Sequence, residues 1–315
     1  MTIRVLFLTG HPAESQLSAP VIRRMKAAPY FEVDVLDVRY WRSLEFNHWN
    51  EGLDKADIVI VPCDRLEQLQ PAIEAFFANK IIIRIYAGIQ TSGGTHDDVI
   101  RRMLDSMGHL LLCESEECRQ NLIRLGEEEW RIPPPFGLTH LDDIEVDYSQ
   151  CPSWEYVLVL MNPITVSSSR TGDEVADAIH EAERALATHP NRHILILPPN
   201  GDLYSDVVNG IYDDFAKFWT KTGFTRWTWW SERVERSQFL GLLSRCTEFV
   251  SNSSAIRYEF PALNDHGELF NPSWRNQERT KPPRLEPGGS DRIISILKSI
   301  DWSDKERLLR KRFRF

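Results

Sequence analysis

The stretch SNSSAIRYEFPAL, residues 251–263, combines small hydroxyl and amide side chains with a carboxylate. It follows the apolar run TEFVS, so we expect Asn252, Ser253 and Ser254 to lie where a strand ends and a helix begins. Serine and asparagine often cap a helix there, because their side chains accept hydrogen bonds from the free N–H groups of the first turn. The same N–H groups and the positive end of the helix dipole suit a phosphate. The local pattern therefore allows either a cap or an anion site.

Two charged loops in the first half of the chain have residue types that suit proton transfer. The segment VPCDRLE places Asp64, Arg65 and Glu67 after an apolar run, and THDDVIRR places Asp98 and Arg101 at a predicted helix start. Carboxylates can act as general acids or bases, and arginines can hold an anion. The alternatives are a surface charge cluster and ordinary acidic residues in a helix first turn.

Two further loops add a histidine and a pair of arginines. His11 lies near Glu14 in the loop after the first apolar run, where a histidine could act as a base or simply be solvated. Arg275 and Arg279 follow the strand-like ELFNP and would suit a diphosphate or a carboxylate.

Several familiar sites are missing from the sequence. No GxGxxG follows the first strand, which argues against a nicotinamide dinucleotide, and no P-loop lysine pattern is present. The five cysteines are scattered without a CxxC pair, which fits a reducing compartment and excludes a cysteine zinc cluster of usual spacing. We expect neither a metal nor a cofactor.

The bulk composition predicts a cytoplasmic protein. A formal net charge of −9 argues against a mainly electrostatic nucleic-acid binder. No run approaches the roughly 20 apolar residues of a membrane span, and the N-terminal apolar run reads as a strand, being too short for a signal peptide. The basic tail RLLRKRFRF is interpreted as the end of a closing helix, with a nucleic-acid arm as the alternative.

The candidate residues lie in loops between alternating β-branched runs and amphipathic helical patterns. This alternation predicts an α/β fold with parallel sheets and right-handed crossovers. It pauses in a segment rich in proline and acids that includes RIPPPFGLTHLDD, so we place a domain boundary at residue 150. Residues 1–150 and 151–315 then form two Rossmann-like domains, the second with a closing C-terminal helix. Ligands of such folds bind at the carboxyl ends of the strands.

Taken together, these loops resemble the hydrolysing UDP-N-acetylglucosamine 2-epimerase family, especially its sialic-acid-pathway branch. TGHPAES is similar to the family's G-[ST]-R-[AP]-E, CDRLE to its G-D-R-x-E, and DDVIRR to its D-E-x-x-R-H. In the second half, NPITVSSSR resembles H-P-x-T, SNSSAIRYEFPAL resembles G-N-S-S-S-G-x-x-E-x-P-x-L, and RNQER resembles R-Q-x-G-R. The resemblance implies a GT-B-like fold, with two Rossmann-like domains whose parallel sheets face each other across a cleft.

The resemblance also implies roles for individual residues. In the family the serine-rich turn holds the nucleotide diphosphate and the following glutamate accepts bonds from the ribose hydroxyls, which favours the anion site over the simple cap. The implied nucleotide-binding residues are Gly10, Asn162, Asn252, Ser253, Ser254, Glu259, Arg275 and Arg279. The implied sugar or substrate contacts come from Glu14, Arg65, Glu67, Tyr86 and Arg101.

The chain departs from the family pattern at several positions. Pro12 replaces an arginine, residues 86–89 read YAGI in place of H-G-G-E, and Asn162 and Arg102 replace histidines. Epimerisation through elimination requires a proton to be removed at C2 of the sugar. The missing carboxylate and histidines would contribute about 10²–10⁴-fold each as general acids or bases.

These departures favour a GT-B glycosyltransferase that uses a UDP-sugar donor in the second domain and an unknown hydroxyl acceptor in the first. His11 is the expected base, because this loop supplies a histidine in many GT-B transferases, with Asp98 in reserve and Asp64 nearby. The alternatives are a hydrolysing 2-epimerase with relocated catalytic groups and a nucleotide-sugar-binding protein without turnover.

The acceptor is not evident from the sequence. Trp227, Trp229 and Trp230 could stack on sugars or bases, although aromatic residues on a strand are more often core. With the basic tail, they leave modified nucleic acid as an outside alternative. A homodimer is a further possible assembly.

Overall fold

The computed structural model describes residues 2–10, 12–38, 46–91, 96–277, 279–280 and 285–314, without the side chains of residues 12–14, 16 and 46–50. The chain forms two compact units. The first contains residues 1–90, 97–143 and 280–315, and the second contains residues 91–96 and 144–279.

The first unit is built on a five-stranded parallel sheet of order β2-β1-β3-β4-β5. Its strands are β1 (Ile3–Thr9), β2 (Phe31–Asp37), β3 (Ile58–Pro62), β4 (Ile81–Ile85) and β5 (Leu110–Leu112). Its helices are α1 (Pro12–Ala27), α2 (Phe46–Lys55), α3 (Leu66–Phe77), α4 (His96–Met107) and α5 (Glu116–Arg124).

Strands β1, β3, β4 and β5 of this sheet are buried on both faces, as their apolar runs predict, whereas the edge strand β2 is partly exposed. Along β3, Ile58 and Ile60 belong to one hydrophobic cluster, whereas Val59 and Val61 belong to another. Side chains alternate between the two faces of a strand, so a continuous β-branched run fills two cores at once. Helices packed on both faces follow from this pattern.

The second unit repeats the architecture with strand order β10-β9-β6-β7-β8, again parallel throughout. Its strands are β6 (Tyr156–Leu160), β7 (His193–Ile196), β8 (Trp227–Trp229), β9 (Glu248–Ser251) and β10 (Glu268–Phe270). Its helices are α6 (Ser168–Thr188), α7 (Ser205–Thr222), α8 (Arg236–Arg245) and α9 (Glu259–Leu263).

The tryptophans of β8 are partly buried core residues. Trp227 and Trp229 pack against the cluster on one face of the second sheet, where the rings of Trp227 and Trp219 lie 5.4 Å apart. Trp230 packs against the cluster on the other face. These contacts agree with the core alternative for the tryptophan-rich segment.

The C-terminal segment packs with the first unit, whereas the sequence placed it in a domain of residues 151–315. Helices α10 (Gly289–Ser299) and α11 (Lys305–Leu309) follow the second unit in the chain. However, α10 lies against α1, and its Ile293 and Leu297 are buried in the first unit's core. An apolar helix face must be buried, and the apolar face of α10 is buried against the first unit.

The basic tail is held by two buried cations. Arg131 is fully buried and donates to the carbonyls of Leu308 and Arg310, each at 2.7 Å. Lys311 forms an ion pair with Glu127, with 2.8 Å between the nitrogen and the carboxylate oxygen. Tail residues up to Lys311 are therefore part of the packed first unit.

Within the described ranges, none of the helices has both the length and the apolar composition that a bilayer span requires.

Candidate functional site

The first unit brings three of the predicted residues into one cluster, which we call the acidic cluster: Asp64, Asp98 and Arg101. Arg101 is 3% exposed, and its Nη1 donates to Asp98 Oδ1 at 3.2 Å. Its Nη2 donates to the Asp64 carboxylate. One buried guanidinium thus holds two carboxylates, and opposite charge at such short range allows both to occupy a single site.

Three elements position this cluster. Asp64 follows β3, while Asp98 and Arg101 lie one turn apart on α4, where residues three apart share a face. The Nη1 of Arg101 also donates to the carbonyl of Ile89, in the loop after β4, at 3.1 Å. Because β3 and β4 are paired and parallel, the loops after them meet at the same edge of the sheet. Residues from separate sequence motifs therefore converge.

The acidic cluster is partly open to solvent. The side chains of Asp64 and Asp98 are 20% and 16% exposed. A carboxylate held by an arginine on one side can accept a proton or a hydroxyl hydrogen bond on the other. The arrangement is suited to general acid–base chemistry.

The CDRLE loop carries two further charged residues at the start of α3. Arg65 precedes the first turn of α3 in an extended conformation, with φ −87° and ψ 140°. Glu67 lies in that first turn and is exposed. Glu67 therefore fits the alternative of a surface charge cluster, whereas the Asp64 carboxylate accepts from Arg101.

Residues 86–89, at the family's H-G-G-E position, form a buried turn that contains no carboxylate. Tyr86 is 4% exposed with φ 66°, and its hydroxyl bonds to the hydroxyl of Thr139. Its ring meets those of Phe136 and His140 edge-on, at 5.3 and 5.4 Å. Its predicted substrate contact stays a prediction.

The first loop lies partly outside the described residues. His11 lies outside the described residues, and Glu14 lies on α1 without a described side chain. Gly10 is buried, and its carbonyl accepts from the Ser15 hydroxyl at 3.4 Å. The roles assigned to His11 and Glu14 remain predictions.

In the second unit, four asparagines form a hydrogen-bonded network beyond the carboxyl ends of neighbouring strands; Asn162, Asn252 and Asn276 are buried and Asn200 is half-buried. The backbone N–H of Asn162 donates to Asn252 Oδ1 at 2.7 Å, and Asn252 Nδ2 donates back to the Asn162 carbonyl at 2.8 Å. The backbone N–H of Asn200 donates to Asn162 Oδ1 at 2.9 Å, and Asn276 Nδ2 donates to the Asn252 carbonyl at 2.7 Å. The network fixes the loops that follow β6, β7 and β9.

The serine-rich turn differs from the predicted helix start. Ser253 caps a single 3₁₀ turn, Ser254–Ile256, and its hydroxyl accepts from the Ala255 N–H at 3.3 Å. A separate short helix, α9, begins at Glu259. A continuous helix would press the ring of Pro261 against the carbonyl of Arg257, four residues earlier, so the chain breaks between the two segments. The cap is present, and the phosphate role of Ser253 and Ser254 stays a prediction.

Three further predicted nucleotide ligands are held by neighbouring groups of the second unit. Glu259 is 5% exposed and accepts from Arg236 Nη1 at 3.0 Å. Arg275 Nη1 donates to the Pro163 carbonyl at 2.6 Å. Arg279 Nε donates to the Tyr258 hydroxyl at 3.2 Å. These contacts hold the three side chains in defined orientations.

Glu174, on α6, adds a perturbed carboxyl group to the second unit. Burial raises its pKa, while the Ser273 hydroxyl and the Arg170 guanidinium act in the opposite direction. The ion pair with Arg170 spans 3.4 Å.

Sequence reasoning missed several of these residues. Asn200 and Asn276 lie in loops that the strand pattern had marked, but asparagine alone gives no chemical signal there. Arg236 lies on a helix with no motif. Within the described part of the chain, no group of three or more His, Cys, Asp or Glu side chains is arranged to hold a metal ion.

A family profile described as UDP-N-acetylglucosamine 2-epimerase matches residues 51–266. Among curated proteins, the polysialic acid biosynthesis protein P7 of Escherichia coli is 23% identical over 218 residues, which cover 66% of this chain and 52% of that protein. The UDP-N,N'-diacetylbacillosamine 2-epimerase (hydrolyzing) of Legionella pneumophila is 26% identical over 219 residues, 66% of this chain and 54% of that one. The chain thus spans about half the length of these relatives.

Solved structures show the same fold. An S. aureus MnaA–UDP structure has a TM-score of 0.68 at 14% identity, covering 98% of this chain and 90% of that one. The Neisseria meningitidis UDP-GlcNAc 2-epimerase bound to UDP-GlcNAc has a TM-score of 0.68 at 15% identity, with 98% and 93% covered. The predicted GT-B-like α/β class is confirmed.

Proposed function

Since the chain belongs to the UDP-N-acetylglucosamine 2-epimerase family, we propose that it is a hydrolysing 2-epimerase of a UDP-sugar. The departures from the family pattern predict a glycosyltransferase, with the epimerase as an alternative. The family match and the curated relatives favour the epimerase.

The acidic cluster is the observation that supports this proposal most directly. Hydrolysing epimerisation removes the proton at C2, and the electron pair left there forms a C1=C2 double bond while the C1–O bond to UDP breaks. Water then adds at C1, and a proton returns to C2 on the opposite face. Both halves need an acid–base group near C2, and two carboxylates on one guanidinium can supply it. We assign proton transfer to Asp64 and Asp98, with Arg101 holding them.

Nucleotide binding is assigned to the second unit. The asparagine network positions the turn that carries Ser253 and Ser254, whose hydroxyl groups can donate to phosphate oxygens. Arg275 and Arg279 supply positive charge for a diphosphate, and bidentate arginine contacts suit that group. Glu259 is assigned to the ribose hydroxyls.

The buried turn at residues 86–89 favours a second candidate function. Ile89 and its neighbours offer no carboxylate where the resembled family pattern has one. A chain that has lost this acid could break the C1–O bond without removing the C2 proton, as a glycosyltransferase does. An isotope experiment separates the two reactions, because only elimination breaks the C2–H bond.

The test is incubation with UDP-N-acetylglucosamine and with UDP-N,N'-diacetylbacillosamine in D₂O, followed by NMR. We expect UDP release with deuterium at C2 of the sugar product. Asp64→Asn and Asp98→Asn should each slow deuterium uptake by about 10²–10⁴-fold. Glu32→Gln, which changes an exposed carboxylate on β2 of the same unit, is the matched control and should leave the rate unchanged.

UDP release without deuterium, dependent on an added hydroxyl acceptor, would reject the epimerase and support the transferase. Tight UDP binding without release from either donor would support a binding protein without turnover.

A further inference from the structure

Strand β4 carries a fully buried arginine in an otherwise apolar run, IIIRI. Arg84 is 0% exposed, and its Nε donates to Asp105 Oδ1 on α4 at 3.1 Å. The Asp105 side chain is 4% exposed. Moving two charges out of water is costly, and well-packed apolar residues often replace such a pair with no loss of stability. The pair therefore calls for an explanation other than stability.

The contacts of the pair point to the two loops that bear the acidic cluster. The Arg84 guanidinium also donates to the backbone carbonyls of Val61 and Cys63, at the end of β3. The second oxygen of Asp105 accepts from the Gly88 N–H, in the loop after β4, at 2.9 Å. Cys63 immediately precedes Asp64. Gly88 immediately precedes Ile89, whose carbonyl accepts from Arg101.

Both loops have backbone conformations that a short loop does not adopt unaided. Cys63 has φ 56° and Tyr86 has φ 66°, although both side chains have a Cβ atom that disfavours this region. Such conformations persist only where surrounding contacts enforce them, and they concentrate at functional sites. The Cys63 carbonyl is one of the atoms that Arg84 holds.

Helix α4 completes the connection. Asp98, Arg101 and Asp105 are spaced three and four residues apart, so they lie along one face of the same helix. Asp98 and Arg101, nearer the N-terminus of the helix, belong to the acidic cluster, and Asp105, nearer its C-terminus, binds Arg84. A shift of Asp105 would thus move the loop after β4 relative to Arg101.

We propose that Arg84 and Asp105 form a positioning pair that fixes Asp64 and the Ile89 carbonyl in the arrangement that Arg101 requires. This inference rests on the proposed function of the acidic cluster. The pair contacts backbone atoms of both loops and acts on substrate only through Asp64 and Arg101. Its loss should therefore slow turnover and leave nucleotide binding unchanged.

The main test replaces the pair by apolar residues, Arg84→Met with Asp105→Leu. We expect the protein to stay folded, since no buried charge is left without a partner. Its unfolding midpoint should fall, because the Gly88 N–H loses its acceptor and the Val61 and Cys63 carbonyls lose a donor. The kcat for UDP release should fall about 10- to 100-fold, because small misplacements of reacting groups have effects of this size. The KM for the UDP-sugar should stay within about twofold. Unchanged kcat in a folded variant would overturn the proposal.

The conservative variant Arg84→Lys covers the case in which the double variant fails to fold. Lysine keeps the charge opposite Asp105, but a single ammonium group lacks the planar fork that reaches Asp105 and two carbonyls together. We again expect a lower kcat with unchanged KM. Full activity in Arg84→Lys would contradict a positioning role.

A measurement that does not require turnover keeps this inference separate from the proposed function. The Gly88 amide should exchange with solvent about tenfold faster in the double variant, because its carboxylate acceptor is gone. The His109 amide, bonded to the Ile82 carbonyl at 2.8 Å, is the reference and should be unchanged. Equal Gly88 exchange in both proteins would refute the positioning pair. Faster exchange in a protein without epimerase activity would support the pair and reject only the proposed reaction.

A matched control shows whether lost stability alone can slow turnover. Arg131 is also fully buried and also donates to backbone carbonyls, but those belong to residues 109, 307, 308 and 310. Arg131→Lys should lower the unfolding midpoint and leave kcat unchanged. A loss of kcat equal to that of Arg84→Lys would mean that any buried arginine has this effect, and would overturn the proposal.

Discussion

The substitution Gly88→Ala tests how tightly the loop after β4 is held. Gly88 has φ +74°, and an added Cβ would lie 2.3 Å from the backbone oxygen of Cys118 and 2.8 Å from Leu122 Cγ on α5. A left-handed conformation costs a residue with a Cβ about 1–2 kcal/mol. The overpacking against a helix backbone adds about 1–3 kcal/mol. We expect the free energy of unfolding of the first unit to fall by about 2–5 kcal/mol.

Gly223→Ala is the matched control. Gly223 has φ +73°, and an added Cβ would meet no atom within 4 Å. Only the backbone cost remains, partly offset because alanine lowers the entropy of the unfolded chain, so the loss should be about 1 kcal/mol. Hydrogen exchange of the most protected amides in each unit measures the two losses separately. Similar losses of unfolding free energy in both variants would mean that α5 yields to the added methyl group, and would refute a tightly held loop after β4.

Four further outcomes are expected. Burial raises the pKa of Glu248 to about 7, and repulsion from Glu181 and Glu268 adds to this shift. Because the pKa of Glu248 is higher in the folded than in the unfolded state, the stability of the second unit falls as pH rises from about 4.5 to 7. Glu248→Gln should then stabilise the second unit by about 1–3 kcal/mol at pH 8 and hardly at all at pH 4, as denaturant titrations would show. Burial lowers the pKa of His109 to about 4, helped by Lys311 and Arg131, so the first unit should lose up to about 3 kcal/mol as pH falls from 6.5 to 4, and a flat profile over this range would contradict it. Glu259→Ala should weaken UDP binding by about 1–3 kcal/mol in calorimetry, and unchanged affinity would reject the ribose assignment. Turnover should survive EDTA, because Arg275 and Arg279 can neutralise the charge of the diphosphate; loss of turnover restored by a divalent ion would reject this expectation.

The strand pattern determined much of the fold. The β-branched runs that alternate with helical patterns correspond to strands β1 to β9, because such runs are typical of parallel sheets covered by helices. The tenth strand, β10, lies in the strand-like stretch ELFNP. The loops after the strands were marked for the same reason, since the carboxyl ends of parallel strands share one edge.

The acidic cluster required both sequence and tertiary structure. Asp64, Asp98 and Arg101 were singled out from separate motifs by residue type. Their contact depends on the pairing of β3 with β4 and on the position of α4, whose Arg101 donates to the loops after both strands. That pairing joins residues more than thirty positions apart, which no local pattern specifies.

Other features were decided by tertiary structure alone. Arg84 lies in a run that otherwise reads as core, and only the position of Asp105 twenty-one residues later explains its burial. Residues 280–315 group with the first unit because the apolar face of α10 packs against α1 and the core of that unit. Sequence periodicity reports that a helix has a buried face, but the partner of that face is chosen by the free energy of the whole packed chain.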